Sequence, residues 1–274
     1  GDIEEARFIF DDCIYEPNVF SWTIIISAYI HHRKFDEARD LFREMQVNGV
    51  KPNTFTFSTI LATCLNPAHG EEGEQIHAAA ILNGLDVDVV VGTSLINMYG
   101  KCKTKEDALF VFEKIQHRDP AAWNAIISVY AQHGDSEKTL MLFQQMREND
   151  VKPNAITFSS VLGACNNPNY LVHGEAIHAK IVGSGFFPDI VIQNALIDMY
   201  GKCGCMCDAL TIFNKLPNPD VISWGAIING YAENDQGFHA LHMLELMQQQ
   251  HVMPNEIIFM SALKACIGIG STRE

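Results

Sequence analysis

The sequence reads Leu95-Ile96-Asn97-Met98-Tyr99-Gly100-Lys101-Cys102 at one point and Leu196-Ile197-Asp198-Met199-Tyr200-Gly201-Lys202-Cys203 at another, 101 residues later. Tryptophan keeps the same interval at Trp22, Trp123 and Trp224. Several unrelated motifs that share one register indicate an internal repeat. The fold must therefore be an array of similar structural units.

Each third of the 101-residue period carries the pattern of two amphipathic helices. In residues 19–53, the first helix is marked by apolar residues at i, i+3, i+4 and i+7: Trp22, Ile25, Ile26 and Tyr29. The second helix carries a similar spacing: Ala38, Leu41, Phe42 and Met45. Gly49 and Pro52 then predict its end, because a left-handed glycine and a proline both stop a helix.

The predicted units have lengths of 35, 35 and 31 residues in rotation. Their boundaries are 19–53, 54–88, 89–119, 120–154, 155–189, 190–220 and 221–255. Residues 1–18 resemble the second helix of a preceding unit, and residues 256–274 the first helix of a following one. We therefore expect a single array, 1–274, cut from a longer chain. No stretch shows strand alternation, so the predicted fold class is all-α, a helix–turn–helix repeat solenoid.

Composition and charge restrict the function. The chain is 47% hydrophobic and 19% charged, which is typical of a folded protein, and no apolar run approaches the roughly 18 residues that span a bilayer. The net charge of −14 weighs against a nucleic-acid binder, because neutralisation of phosphates usually supplies most non-specific affinity. The eight cysteines follow no secretory framework, so we expect reduced thiols.

The candidate catalytic and metal-binding residues are better explained as structural ones. Five of the eight cysteines recur with the repeat and are predicted to be buried: Cys64, Cys102, Cys165, Cys203 and Cys266. His-x-Glu occurs at His69 and His173, but the Cys-x-x-Cys that completes a zinc deaminase site is missing. We interpret His77, His178 and the tryptophans as packing residues. The sequence predicts no catalytic residue, no metal site and no cofactor.

The alternation of lengths resembles the pentatricopeptide repeat (PPR) family, in its PLS subclass of P, L and S motifs. P-type signatures begin at Val19, Ala121 and Val221; the L type is represented by Gly73–His77 and Gly174–His178; the S type by the two Met-Tyr-Gly-Lys-Cys runs. Units 19–53, 120–154 and 221–255 are then P motifs. Units 54–88 and 155–189 are L motifs, 89–119 and 190–220 are S motifs, and residues 1–18 and 256–274 are partial S and L units. Tetratricopeptide repeats are the nearest rival, but their 34-residue period does not fit three unequal lengths.

The resemblance implies a right-handed superhelix of about fifteen to sixteen helices. It also implies sequence-specific binding of single-stranded RNA, one base per repeat, to target C-to-U editing in plant mitochondria or chloroplasts. Members of this type often carry a C-terminal E/DYW extension that does the chemistry, and this sequence lacks one, so no enzymatic activity is expected. The transit peptide would lie outside the fragment. Accessory organellar editing proteins could bind, and uncapped ends could associate between copies. The alternatives are an organellar splicing or stabilisation factor and a peptide- or protein-binding scaffold, which the acidic charge favours.

The resemblance also assigns roles by position within each unit. The fifth residue and the last residue specify the base: Thr23/Asn53, Ser58/Asp88, Thr93/Asp119, Asn124/Asn154, Ser159/Asp189, Asn194/Asp220 and Gly225/Asn255. The second residue packs against the base plane: Phe20, Phe55, Val90, Ala121, Ile156, Val191 and Ile222. All seven second residues are apolar, as a position that sandwiches a base requires.

The chemistry of the last residue predicts base preference. Ionised aspartate only accepts hydrogen bonds, which suits guanine and uracil, whereas asparagine can also donate, which suits adenine and cytosine. In the family, Thr or Ser at the fifth position goes with purines and Asn with pyrimidines. The unit that begins at residue 19 then predicts A, and the unit that begins at residue 89 predicts G. The unit that begins at residue 120 predicts C or U, and the unit that begins at residue 190 predicts U. The L units and the Gly225 unit stay unassigned, and the predicted target is 5′-A-n-G-Y-n-U-n-3′.

Overall fold

The computed structural model describes residues 3–13, 15–187 and 189–271, and every regular element in these ranges is helical. The chain forms two compact units, Gly1–Val129 and Tyr130–Glu274. The first contains α1 (Ile3–Phe8), α2 (Val19–His31), α3 (Phe35–Val47), α4 (Thr54–Leu61), α5 (Gly70–Leu82), α6 (Val89–Cys102), α7 (Lys105–Lys114) and most of α8 (Pro120–Gln132). Shorter turns are a π-helix at Ile9–Cys13 and 3₁₀ turns at Ala62–Cys64 and Pro67–His69.

The second compact unit continues the alternation. It contains α9 (Ser136–Glu148), α10 (Ala155–Ala164), α11 (Leu171–Ser184), α12 (Ile190–Lys202), α13 (Met206–Phe213), α14 (Val221–Glu233), α15 (Gly237–Gln249) and α16 (Glu256–Ser271), with a 3₁₀ turn at Pro168–Tyr170. The sixteen α-helices of the described residues agree with the predicted all-α repeat. None of these helices is long and apolar enough to cross a bilayer.

The helices follow the predicted amphipathic pattern. In α3, Asp36 and Glu37 occupy the first turn, where the helix dipole favours negative charge. The predicted apolar face of α3 is buried: Ala38, Leu41, Phe42 and Met45. Gly49, just after the helix, has a φ of +73°, a conformation that glycine adopts without strain. The termination predicted from the sequence is confirmed.

The first helices of the predicted units pack in succession. In the first compact unit, α2 contacts α4 and α4 contacts α6; in the second, α10 contacts α12, α12 contacts α14, and α14 contacts α16. First helices also pack on the second helices that follow them, as α2 does on α3 and α14 on α15. Within each compact unit, this succession places the beginnings of neighbouring first helices side by side.

Each tryptophan anchors a first helix in the core. Trp22, Trp123 and Trp224 are at most 2% exposed. Each meets a phenylalanine edge-on, with ring centroids 4.7 Å apart for Phe10–Trp22 and 4.8 Å apart for Phe112–Trp123 and Phe213–Trp224. These indoles are core residues, as predicted, and their burial excludes them as stacking platforms for a ligand.

The stretch that ends in Met-Tyr-Gly-Lys-Cys packs against the predicted L-type motif before it. A Cβ at Gly73 would stand 2.5 Å from Met98 Sδ, so a larger residue there would force the Met98 side chain to move. Nδ1 of His77 and the hydroxyl of Tyr99 are 2.8 Å apart. We call this contact of α5 with α6 the first His–Tyr junction.

The second copy of the stretch repeats this packing between α11 and α12, the second His–Tyr junction. A Cβ at Gly174 would stand 2.8 Å from Met199 Sδ, and His178 Nδ1 lies 3.0 Å from the hydroxyl of Tyr200. The Cys203 thiol donates to the carbonyl oxygen of Cys165 at 3.2 Å, as the Cys102 thiol does to Cys64 in the first copy. The repeated sequence is therefore explained by a repeated three-part contact, in which the histidines are packing residues.

The cysteine prediction was right for three of five positions. Cys64, Cys165 and Cys203 are buried, and burial raises the pKa of each thiol. The prediction was wrong for Cys102, which is half-buried, and for Cys266, which is exposed. Cys266 lies on a face of α16 that no described element covers, so the repeat position there has no neighbour to bury it.

Candidate nucleic-acid interface

The last residue of every predicted unit caps the helix that begins the next one. In each case the side-chain Oδ1 accepts a backbone N–H of the first turn. The N–H donors and their distances are Thr56 to Asn53 (2.8 Å), Val90 to Asp88 (2.9 Å), Ala122 to Asp119 (2.8 Å), Thr157 to Asn154 (3.1 Å), Val191 to Asp189 (2.8 Å), Ser223 to Asp220 (2.8 Å) and Ile258 to Asn255 (3.0 Å). Capping gives a structural reason for a short side chain with an oxygen acceptor at these positions.

The cap also decides which atom of the side chain is left over. Because the oxygen of the amide is taken by the helix, a capping asparagine leaves Nδ2, which only donates. A capping aspartate leaves Oδ2, which only accepts when ionised. Asn and Asp are nearly equal as N-caps, so the choice between them costs the fold little. The choice between Asn and Asp can therefore change the hydrogen-bonding chemistry of the surface at little cost to the fold.

The second residue of every predicted unit is exposed, although all seven are apolar. The exposed fractions are 70% for Phe20, 64% for Phe55, 50% for Val90, 60% for Ile156, 54% for Val191 and 63% for Ile222, and Ala121 is also exposed. Apolar side chains that recur in solvent at one position of a repeat indicate a binding surface. They stand two residues after a capping side chain.

A groove of about 510 Å³ in the second compact unit brings many of the predicted residues together. Its lining includes five predicted base-specifying residues: Ser159, Asn194, Asp220, Gly225 and Asn255. Its apolar lining includes Val191, Ile222 and Ile257. The predicted Asp189 and Ile156 are not among the lining residues.

The groove also contains residues that the sequence interpretation missed. Gly163, Asp198 and Asn229 line it, each four residues after a predicted fifth position. Residues four apart share one face of a helix, so this spacing could have identified them. The carboxylate of Asp198 is paired with Lys202 at 2.8 Å, and Oδ1 of Asn229 accepts from Ser261 at 3.1 Å.

One predicted pair is joined directly. Nδ2 of Asn194 donates to Oδ1 of Asp220 at 3.2 Å. Burial by itself would raise the pKa of Asp220, but hydrogen bonds that include those from the backbone N–H of Ser223 and from Nδ2 of Asn194 outweigh it, and the pKa lies below its usual value. Asp220 therefore stays ionised at neutral pH, and its Oδ2 is an acceptor.

A second pair is joined through one intervening hydroxyl. In the first compact unit, Oγ1 of Thr23 lies 2.7 Å from Oγ1 of Thr56, which lies 2.9 Å from Oδ1 of Asn53. Thr56 is the third residue of the next predicted unit, as Ser223 is in the pair above. The structure thus connects the two members of a predicted pair through the third residue that follows.

Three fifth-position hydroxyls bond within their own helices. The hydroxyl of Ser58 donates to the carbonyl oxygen of Phe55 at 3.0 Å, that of Thr93 to Val89 at 2.7 Å and that of Thr23 to Val19 at 2.6 Å. Gly225 brings no side chain to the groove. Asn124 and Asn154 lie in different compact units. In the described residues, no group of three or more His, Cys, Asp or Glu side chains could hold a metal ion.

Family profiles of one type of repeat match most of the chain. The profile of the PPR repeat family matches residues 17–66 and 118–167, a second PPR repeat profile matches 93–119 and 194–218, and a pentatricopeptide repeat domain profile matches 217–268. Among solved structures, the pentatricopeptide repeat protein PPR10 in complex with an 18-nucleotide psaJ RNA element superposes with a TM-score of 0.81. It is 22% identical, and the alignment covers 97% of this chain and 40% of that one. A tetratricopeptide repeat protein from Parabacteroides merdae reaches a TM-score of 0.57 at 11% identity, covering 90% of this chain and 98% of that one.

Curated relatives from Arabidopsis thaliana extend over nearly the whole chain. A putative pentatricopeptide repeat-containing protein is 36% identical over 99% of this chain and 38% of its own length. Another, named as chloroplastic, is 37% identical over 97% of this chain and 33% of its own length, and a third, named as mitochondrial, is 34% identical over 95% and 41%. The chain therefore spans a third to two fifths of the length of these relatives. Matching profiles, relatives and helical arrangement agree: this chain belongs to the pentatricopeptide repeat family.

Proposed function

We propose that the chain binds single-stranded RNA in a sequence-specific manner, with one base at each repeat. The observation that carries the proposal is the sevenfold recurrence of a capping Asn or Asp beside an exposed apolar second residue. Unpaired bases are recognised by stacking on side chains and by hydrogen bonds to their Watson–Crick edges. The surface offers both elements at the same spacing.

The caps support the base assignments. In the proposed unit 89–119, the free Oδ2 of Asp119 would accept the N1–H of guanine. In unit 19–53, the free Nδ2 of Asn53 would donate to N1 of adenine. Asp220 with Asn194 would select uracil, and Asn124 with Asn154 a pyrimidine, which gives the target 5′-A-n-G-Y-n-U-n-3′ from the first unit to the last.

The biological role that we propose is targeting of organellar C-to-U RNA editing, with units of the P, L and S types. The 35, 35 and 31 residue alternation supports the subclass. Relatives named as chloroplastic and mitochondrial support an organelle as the location. The chain would supply recognition, and the editing chemistry would come from elsewhere.

The acidic charge is compatible with this proposal. Four of the seven capping residues are aspartates, and each has one oxygen bound to a helix N–H. Their negative charge is directed at base edges that carry N–H donors rather than at phosphates. We therefore expect affinity that depends on base sequence and only weakly on salt, because few phosphates would be neutralised.

The test is fluorescence anisotropy with 5′-A-n-G-Y-n-U-n-3′ RNA and with a scrambled RNA of the same composition, at near-physiological salt. We expect clear preference for the designed sequence. Equal binding to both would contradict sequence-specific recognition. No binding to either RNA would overturn RNA binding by this chain. That result would favour a peptide-binding scaffold, which the net charge of −14 would suit.

A further inference from the structure

We propose that Ser223 is a positioning residue that gives the 190–220 unit its discrimination between uracil and cytosine. Ser223 is the third residue of unit 221–255, which follows the unit that contains Asn194. Ser223 has no place among the residues that the repeat code assigns to a base. The inference rests on the proposed RNA-binding function. It concerns how the orientation of one amide is fixed in the groove.

The geometry around Ser223 is enclosed. Its side chain is fully buried, and Asn194 is only 7% exposed. Its hydroxyl lies 2.7 Å from Oδ1 of Asn194 and 2.9 Å from Oδ1 of Asp220. One hydroxyl therefore touches both members of the predicted base-specifying pair.

These contacts allow only one orientation of the Asn194 amide. The ionised carboxylate of Asp220 accepts and cannot donate, so the group of Asn194 that faces it at 3.2 Å must be Nδ2. The amide oxygen then faces the Ser223 hydroxyl, which can donate to it. A flipped amide would bring two acceptors together at Asp220. The Ser223 hydroxyl, whose oxygen already accepts from the N–H of Asp220 at 3.2 Å, holds the amide oxygen of Asn194 in place by donating to it. Ser223→Ala would remove this hydrogen bond.

The fixed orientation determines what remains for a base. The second hydrogen on Nδ2 of Asn194 can donate to a carbonyl oxygen, and Oδ2 of Asp220 can accept a ring N–H. Uracil offers both partners on its Watson–Crick edge. Cytosine would place its N3 lone pair against the carboxylate, which is repulsive. A mobile Asn194 amide could turn its oxygen toward the cytosine amino group and weaken this discrimination.

Other units show what happens without the third-position hydroxyl. Ser58 is followed by Val91 at the third position of the next unit, so no hydroxyl stands there to meet it, and its own hydroxyl bonds to the carbonyl oxygen of Phe55. Ser159 is followed by Ile192 at the same position. Thr56, in contrast, meets Thr23 at 2.7 Å. We infer that third-position hydroxyls mark the units whose fifth residue is fixed.

The experiment compares Ser223→Ala with the wild-type chain on two RNAs that differ only in U or C opposite unit 190–220. We expect the wild-type chain to prefer U by about tenfold, which corresponds to roughly 1.4 kcal/mol. Loss of one hydrogen bond should reduce that ratio about fivefold in Ser223→Ala. Ser223→Thr should keep the wild-type ratio, because threonine already occupies the equivalent position at Thr56.

Ser21→Ala is the matched control for a purely structural effect. Ser21 closes the same type of capping box, with its hydroxyl 2.9 Å from the N–H of Asn18, as Ser223 does with Asp220. If Ser223→Ala lowers the melting temperature as Ser21→Ala does but keeps the wild-type U:C ratio, the serine is only a cap and the inference fails. If the wild-type chain binds neither RNA, the proposed function fails and this inference with it.

Discussion

Between copies of the repeat, the His–Tyr junctions keep the same residues, whereas the helix caps change theirs. At the junctions, chemistry is copied: glycine meets methionine, and histidine meets tyrosine at 2.8 Å in one copy and 3.0 Å in the other. At the seven helix caps, the structural role stays the same while the chemistry of the residue changes. The capping position is always filled by a side-chain oxygen, but the residue alternates between Asn and Asp.

This difference separates what holds the array together from what it can recognise. A junction residue touches neighbours on all sides, so a change there alters packing. A capping residue such as Asp119 uses one oxygen of its side chain for the helix and leaves the other oxygen available. The repeat can therefore vary its surface chemistry without changing its fold.

Trp224 and Ile222 make the sharpest test, because they lie two residues apart in α14 and face opposite environments. Trp224 is 1% exposed. Trp224→Ala should lower the free energy of unfolding by about 3–5 kcal/mol, since it leaves a large cavity beside Phe213. Urea unfolding followed by far-ultraviolet circular dichroism measures this. A loss below about 1 kcal/mol would contradict the assignment of the tryptophans to the core.

Ile222→Ala should weaken RNA binding and leave the free energy of unfolding nearly unchanged. Its side chain is 63% exposed, so the free energy of unfolding should change by less than about 0.5 kcal/mol. Loss of a base-stacking contact should weaken RNA binding by about 1 kcal/mol, the lower end of the range for aromatic platforms. Anisotropy with the designed RNA gives the binding change. An unaltered dissociation constant would show that the exposed second residues do not meet bases.

The smallest expected effect is a dependence of stability on pH at the His–Tyr junctions. Burial lowers the pKa of His77 and His178, with a further contribution from Lys114 for the first and Lys215 for the second. The unfolded chain therefore binds protons at a higher pH than the folded chain. Stability from these groups is present above the unfolded pKa of about 6.5 and is lost as pH falls through that value.

Thermal unfolding between pH 7 and pH 5 tests this effect. The melting temperature of the wild-type chain should fall over that interval, and the double variant His77→Gln, His178→Gln should fall less. Aspartate and glutamate contributions are common to both chains and cancel in the comparison. Equal slopes for the two chains would mean that the junction histidines are not the cause.

The sequence was sufficient for much of the core because its residues recur. Trp22, Trp123 and Trp224 share one interval and one environment, so periodicity alone predicted helices and core. Cys266 broke the pattern although its sequence position fits the repeat. Burial depends on which elements cover a face, and a periodic sequence does not specify that.

The groove was predictable in its positions but not in its connections. The fifth and last residues were identified by their place in the unit, and five of them line one groove. The link from Asn194 through Ser223 to Asp220 joins residues 26 and 29 apart along the chain. Such links depend on how close two successive helices lie, a distance that hydrophobic periodicity does not contain.

The central claim is that the atom left free by the helix cap selects the base, and Asp119→Asn tests it most directly. Asparagine keeps the cap, so the melting temperature should hardly change. The free atom changes from an acceptor to a donor, so preference at the third base of the designed RNA should move from G to A, by roughly 1–3 kcal/mol. Anisotropy with the two RNAs measures the change. An unchanged preference in a stably folded variant would contradict the claim.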